Sequence, residues 1–98
     1  MDENFVYQVL EIVNEIPEGF VATYGQIASL AGREKNSRLV GKILAQSHHY
    51  GNYPCHRVVN SQGKLVTGWD EQYQLLQDEN IVFKPNRQVN LKKHLWRI

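Results

Sequence analysis

The sequence predicts a small α/β domain of the winged helix-turn-helix type. Three observations carry that expectation: an amphipathic N-terminal segment, two short helical stretches joined by a glycine-containing link, and two β-type runs around a second glycine turn. The 98 residues suffice for one hydrophobic core but not two, so a single domain over residues 1–98 is expected.

Phe5, Val6, Val9, Leu10, Ile12, Val13 and Ile16 recur at spacings of three and four, which predicts a first helix. Pro17-Glu18-Gly19 stops it, and Phe20-Val21-Ala22 reads as a very short strand. Thr23 and Gln26 have capping-box spacing, so a second helix should begin at Tyr24 and end at Gly32 in a left-handed C-cap. Asn36 or Ser37 can cap a third helix with an apolar stripe of Leu39, Val40, Ile43 and Leu44, leaving Arg38, Gly41 and Lys42 on its other sides. Many such helix pairs never touch DNA. Arg57-Val58-Val59, a turn at Asn60–Gly63, and Lys64-Leu65-Val66 read as a β-hairpin, the wing. A fourth helix should run from Asp70 to Glu79 with Tyr73, Leu75 and Leu76 facing inward. Ile81-Val82-Phe83 and Val89-Asn90-Leu91 are extended candidates, and His94-Leu95-Trp96 closes the chain with an aromatic plug.

The net charge of +1 is uninformative, but its distribution is not. Residues 1–18 carry five acids and no Lys or Arg, residues 33–42 carry four basic residues and one acid, and residues 84–97 carry five basic residues and no acid. Such segregation makes a locally positive face on a near-neutral protein, or simply a solvated polar surface. The acidic start Met1-Asp2-Glu3-Asn4 lacks an apolar signal region, and no apolar run reaches membrane-spanning length. A lone cysteine suits a reducing compartment. The expected location is cytoplasmic (nucleoid-associated in a bacterium), with no membrane partner and a monomeric state.

Chemistry concentrates in Tyr53-Pro54-Cys55-His56-Arg57-Val58-Val59. Pro54 fixes its own φ and restricts Tyr53, which places the thiol at a defined bend. A cysteine beside a histidine is a candidate nucleophile, because the thiolate attacks and a base must take its proton. The same residues also suit a buried thiol packing as a small hydrophobe, the commoner case for an isolated cysteine. On an extended segment, Cys55 and His56 would face opposite sides, so a bridging water or a local bend is needed between them. His48, His49, Cys55 and His56 lie within nine residues, yet no zinc spacing appears, and neither metal nor cofactor is expected.

Pro54-Cys55-His56-Arg57-Val58-Val59 resembles the alkyl-acceptor motif of the O6-alkylguanine-DNA alkyltransferase family, and other pieces follow in that family's order from about Phe5 to about Asn80. The resemblance implies the fold of the family's C-terminal domain. It also implies a single-turnover methylated-DNA–protein-cysteine methyltransferase that moves an alkyl group from O6 of guanine in double-stranded DNA to Cys55. By the same resemblance, His56 links to the cysteine through water and Glu79, in Leu75–Asn80, orients His56. The target atom is buried in the base stack, so the nucleotide must be extruded. Arg38 matches the family's intercalating arginine and Tyr24 the tyrosine that crowds the 3′ phosphate. Ala31, Gly32 and Gly41 would permit close approach of the backbone, and Lys42 would add positive charge. Ser47, Pro54, Val58 and Trp69 would bound the lesion pocket.

Three features depart from the enzymes. Ser47 stands where they have asparagine, Thr67-Gly68-Trp69 replaces their Ser-Gly-Gly loop, and their separate N-terminal domain is not expected here. The tail Val89–Trp96 is similar to that of the alkyltransferase-like proteins, which bind and flip O6-alkylguanine, leave it unrepaired, and hand it to nucleotide excision repair. Most of those have tryptophan in place of Cys55. The second expectation is therefore a non-enzymatic lesion sensor with excision-repair proteins as partners. A third is a winged-helix DNA binder indifferent to alkylation.

Overall fold

A computed structural model describes residues 2–97 of the chain. Helix α1 (Glu3–Glu15) starts where the Asp2 side chain accepts from the Asn4 amide. Such a cap contributes about 1 kcal/mol. Burying Phe5, Val6, Val9, Leu10 and Val13 contributes about 1.5–3 kcal/mol per side chain, so packing of the apolar stripe decides the helix's place. Strand β1 (Ala22–Thr23) leads directly into α2 (Tyr24–Leu30), whose Thr23–Gln26 capping box is fully formed. Gly32, at φ +80°, ends α2: its amide bonds Ser29 and the Arg33 amide bonds Ala28, the paired bonds of a Schellman cap.

Helix α3 (Ser37–Ala45) starts at Asn36 as expected, but no side chain caps it there. A 3-10 turn at Ser47–His49 and a loop follow, then a second 3-10 turn at Cys55–Arg57 and strand β2 (Val58–Val59). Helices α4 (Glu71–Asp78) and α5 (Leu91–His94) complete the chain.

The expected hairpin is corrected by the structure. Strand β2 pairs in parallel with β1, Ala22 opposite Val58 and Thr23 opposite Val59, with α2 and α3 forming the crossover that a parallel pair requires. The turn after β2 does close, because the Asn60 side chain accepts from the amides of Gln62 and Lys64. Its returning arm then leaves: Gly63 O accepts from Val89, and the Val66 amide is taken by the Gln72 side chain. Val89 makes an isolated antiparallel bridge to Phe83, while Leu91, expected to be extended, begins α5. On α4, Tyr73 and Leu75 are only half-buried, and Gln72 joins Leu76 in the interior instead.

The parallel pair divides the interior. Ala22 and Val58 belong to the larger cluster formed with α1, α2 and α3, whereas Val21 and Val59 belong to a smaller one with Leu76, Ile81 and Val89. Alternation along an extended chain sends neighbouring side chains to opposite faces, so the short extended segments Val21–Ala22 and Val58–Val59 serve both clusters. Leu95 bridges Val21 on the far side of β1, and Trp96 packs against the larger cluster. No described helix is long and apolar enough to cross a membrane.

Gly63 holds the smaller cluster's edge. Its φ is +84°, and a Cβ there would lie 2.6 Å from the Val89 carbonyl oxygen. Gly63→Ala is expected to cost about 1–3 kcal/mol, read as a lower urea midpoint with an unchanged slope.

Candidate DNA-binding and thiol site

Pro54 has φ −79° and ψ 59°, and the Cys55 amide bonds Tyr53 O at 2.8 Å. This is an inverse γ-turn centred on the residue whose ring pre-sets that φ. The chain then tightens into the Cys55–Arg57 3-10 turn instead of extending. Successive side chains there point about 120° apart, so Cys55 and His56 diverge without facing opposite ways. The half-buried Cys55 thiol donates to Ser47 Oγ at 3.3 Å. Burial pushes the thiol pKa up, and the Ser47 hydroxyl opposes that rise.

His56 turns toward α4, where Nε2 lies 2.5 Å from Glu79 Oε2. Arg57 Nε contacts both Glu79 oxygens at 3.0 and 3.1 Å, Nη2 donates to Oε2, and Nη1 donates to Ile16 O. The Gly19 amide also donates to Oε1. Burial alone would raise the Glu79 pKa, but hydrogen bonds from Arg57, His56 and Gly19, with the guanidinium charge, hold it below the usual carboxylate range. This places a fixed negative charge behind the imidazole.

Cys55 lines a cavity of about 110 Å³ with Tyr24, Gly41, Leu44, Ala45, Val66 and Trp69. Tyr24 and Gly41 also line a shallow groove with Ser37 and Arg38, so the cavity and the groove adjoin. Tyr24 is the first residue of α2, and burial followed by the neighbouring Cys55 pushes its pKa up, keeping the phenol a neutral donor. Arg38 and Lys42 are exposed on α3. A Cβ at Gly41 would meet the Tyr24 ring at 3.9 Å, an ordinary contact, so the approach of α2 to α3 does not require glycine there.

Some residues expected at the site lie elsewhere. Val58 is wholly buried beside Ala22 in the parallel pair, so its side chain cannot wall a ligand pocket. Ala31 packs into the larger cluster rather than facing outward. Gly32 is exposed and meets nothing within 4 Å at its Cβ position, so its left-handed cap, not close approach, accounts for it. Ser47 contacts the sulfur rather than the cavity, and Pro54 shapes the turn behind it. Trp69 does line the cavity.

Sequence reasoning gave Arg57, Gln72, Val66 and Gly19 no specific part in the site. Arg57 was legible as part of the motif, and Gln72 sits four residues before Leu76 on the same helical face.

The α2–α3 pair forms a helix-turn-helix whose surface groove adjoins a thiol-bearing cavity, an arrangement that fits a DNA-binding domain with a cysteine at its site. The family profile described as 6-O-methylguanine DNA methyltransferase, DNA binding domain, matches residues 4–81, and the chain belongs to that family. It is 38% identical over 98 residues to the DNA base-flipping protein of Escherichia coli, covering 97% of this chain and 76% of that one. Alkyltransferase-like protein 1 of Schizosaccharomyces pombe is 33% identical over 106 residues, covering 99% of this chain and 97% of that one. Its structure in complex with damaged DNA containing O6-carboxymethylguanine superposes with a TM-score of 0.88, at 30% identity over 100% of this chain and 99% of that one. A Mycobacterium tuberculosis OGT in complex with DNA gives a TM-score of 0.69 at 30% identity, covering 82% of this chain and 51% of that one.

A depressed carboxylate pKa stabilises the fold above the ordinary value and ceases to do so as pH falls through the lowered one. The native protein should therefore lose stability on acidification below about pH 4. Glu79→Gln should cost about 2–4 kcal/mol at neutral pH by leaving Arg57 poorly compensated, and should show a flatter acid limb in denaturation midpoints against pH.

Proposed function

We propose that this domain binds duplex DNA through α2 and α3, extrudes an O6-alkylated guanine into the Cys55 cavity, and accepts its alkyl group on the sulfur. The observation that carries this reading is the adjacency of the thiol cavity and the Tyr24–Arg38 groove. O6 lies within the stack, so attack along the alkyl carbon–oxygen bond requires an unstacked base. Arg38, exposed on α3, fills the vacated place, and Tyr24 crowds the backbone of the rotated nucleotide.

Transfer is a displacement at carbon. The thiol proton passes through water to His56, and Glu79 stabilises the imidazolium so formed. The sulfur–carbon bond forms as the carbon–O6 bond breaks, and the guanine leaves with the electron pair and takes up a proton. The product thioether has no leaving tendency under these conditions, so each molecule acts once.

A second reading is a lesion sensor that binds the extruded base without reacting and presents it to excision-repair proteins. It is favoured by the half-buried thiol, whose pKa burial pushes up. The names of relatives that match nearly all of this chain, base-flipping and alkyltransferase-like, point the same way.

Mass spectrometry after incubation with O6-methylguanine duplex separates the two. Transfer predicts that a peptide containing Cys55 gains one methylene's mass while the DNA reverts to guanine. Tight binding with both partners unchanged establishes the sensor instead. Under either reading, Arg38→Ala and Tyr24→Ala should each weaken binding to the alkylated duplex by about tenfold at fixed salt. Undiminished affinity in both variants would falsify extrusion.

A further inference from the structure

We infer that Gln72 sets the width of the Cys55 cavity and so determines which alkyl groups fit, acting as a positioning residue for the lesion. This role rests on the reading of the cavity as a lesion pocket. Val66 and Trp69 both line the cavity that Cys55 borders. The turn joining Val66 to Trp69 is weakly held by itself. Its backbone bond, Trp69 amide to Val66 oxygen, is long at 3.4 Å, and Thr67 and Gly68 between them are exposed. Gly68 is left-handed at φ +85° and has nothing within 4 Å of its Cβ position, so that residue adds no packing to the turn.

Gln72 supplies what the turn lacks. It is the one buried polar side chain among the described residues, with no exposed surface. Its Oε1 accepts from the Val66 amide at 2.7 Å, and its backbone N–H donates to Trp69 O at 3.2 Å. From the other end of the same side chain, Nε2 donates to His56 O at 3.1 Å and Val58 O at 3.2 Å. These two carbonyls flank Arg57 in the segment that presents Cys55. A single planar amide thus spans the gap between the cavity's outer wall and the nucleophile's turn.

The chemistry of this span is specific. Only a carboxamide offers an acceptor at one corner and two donors at the other. Glutamate keeps the length but presents no donor to the two carbonyls, and methionine fills the space with neither function. Either change leaves buried backbone groups unpaired, which they relieve by moving apart toward water. The wall carrying Val66 and Trp69 then swings outward, and discrimination against large alkyl groups falls.

The test uses the full chain with Cys55→Ser, so that transfer does not consume the probe. Affinities are measured at fixed salt for one duplex sequence bearing guanine, O6-methylguanine or O6-benzylguanine. Gln72→Glu and Gln72→Met should each raise the benzyl-to-methyl affinity ratio by about fivefold or more, with binding to undamaged duplex unchanged. An unchanged ratio in a folded variant overturns the role, as does an equal loss on all three duplexes. Should both variants unfold, amide exchange in the native protein decides: protection of the Val66 amide comparable to α4 supports the clamp, and free-loop exchange overturns it. A parent protein that does not prefer O6-methylguanine over guanine overturns the pocket reading itself. Retained preference with an unaltered ratio overturns only the part given to Gln72.

Discussion

One carboxylate holds this molecule's working parts in register. Glu79, at the end of α4, receives Arg57 and His56 from the nucleophile's turn and the Gly19 amide from the bend after α1. Three segments far apart in sequence are fixed around two oxygen atoms. A paired buried charge of this kind returns little net stability, since desolvation offsets most of the attraction. What it gives is position: the imidazole cannot rotate without breaking a bond to an oxygen that the guanidinium also grips.

Around that anchor, the two-residue parallel pair separates the helical half from the half that carries α4 and the tail. The thiol stands at the boundary. On one side are Tyr24, Gly41 and Leu44 from the helix pair, and on the other Val66 and Trp69 from the segment leading into α4. A base entering there would touch both halves, so the relation between them sets the pocket's shape. Gln72 and Glu79 are the two side chains of α4 and its end that tie it to the nucleophile's turn. Of the positive residues of α3, Arg38 lines the groove and Lys42 is exposed.

Features written in nearby residues were legible beforehand. The stripe of α1, the Thr23–Gln26 box and the Gly32 cap each depend on contacts within a few positions, and all three form. The Pro54–Val59 motif pointed to the family, which six contiguous residues can do. Pairing across 36 positions, Ala22 with Val58, leaves no trace in local pattern, and a hairpin was the natural reading of two β-type runs around a glycine. Val58 and Ala31 went astray for the same reason: their burial is decided by what arrives from elsewhere in the chain. Gln72 was invisible because glutamine in a helix ordinarily means an outward face, and only its three distant partners reverse that.

The far edge of β1 is completed from the chain's last residues. Val21 exchanges bonds with His94 and Trp96 at 2.8 and 2.7 Å, and the Gln26 side chain, already spent on capping α2, also grips the Trp96 carbonyl at 2.6 Å. During synthesis the helix pair therefore emerges long before its final brace exists. A ribosome still holding residues 94–96 in its tunnel carries a nascent domain with one strand edge open, and the groove acquires its finished support only once those residues emerge.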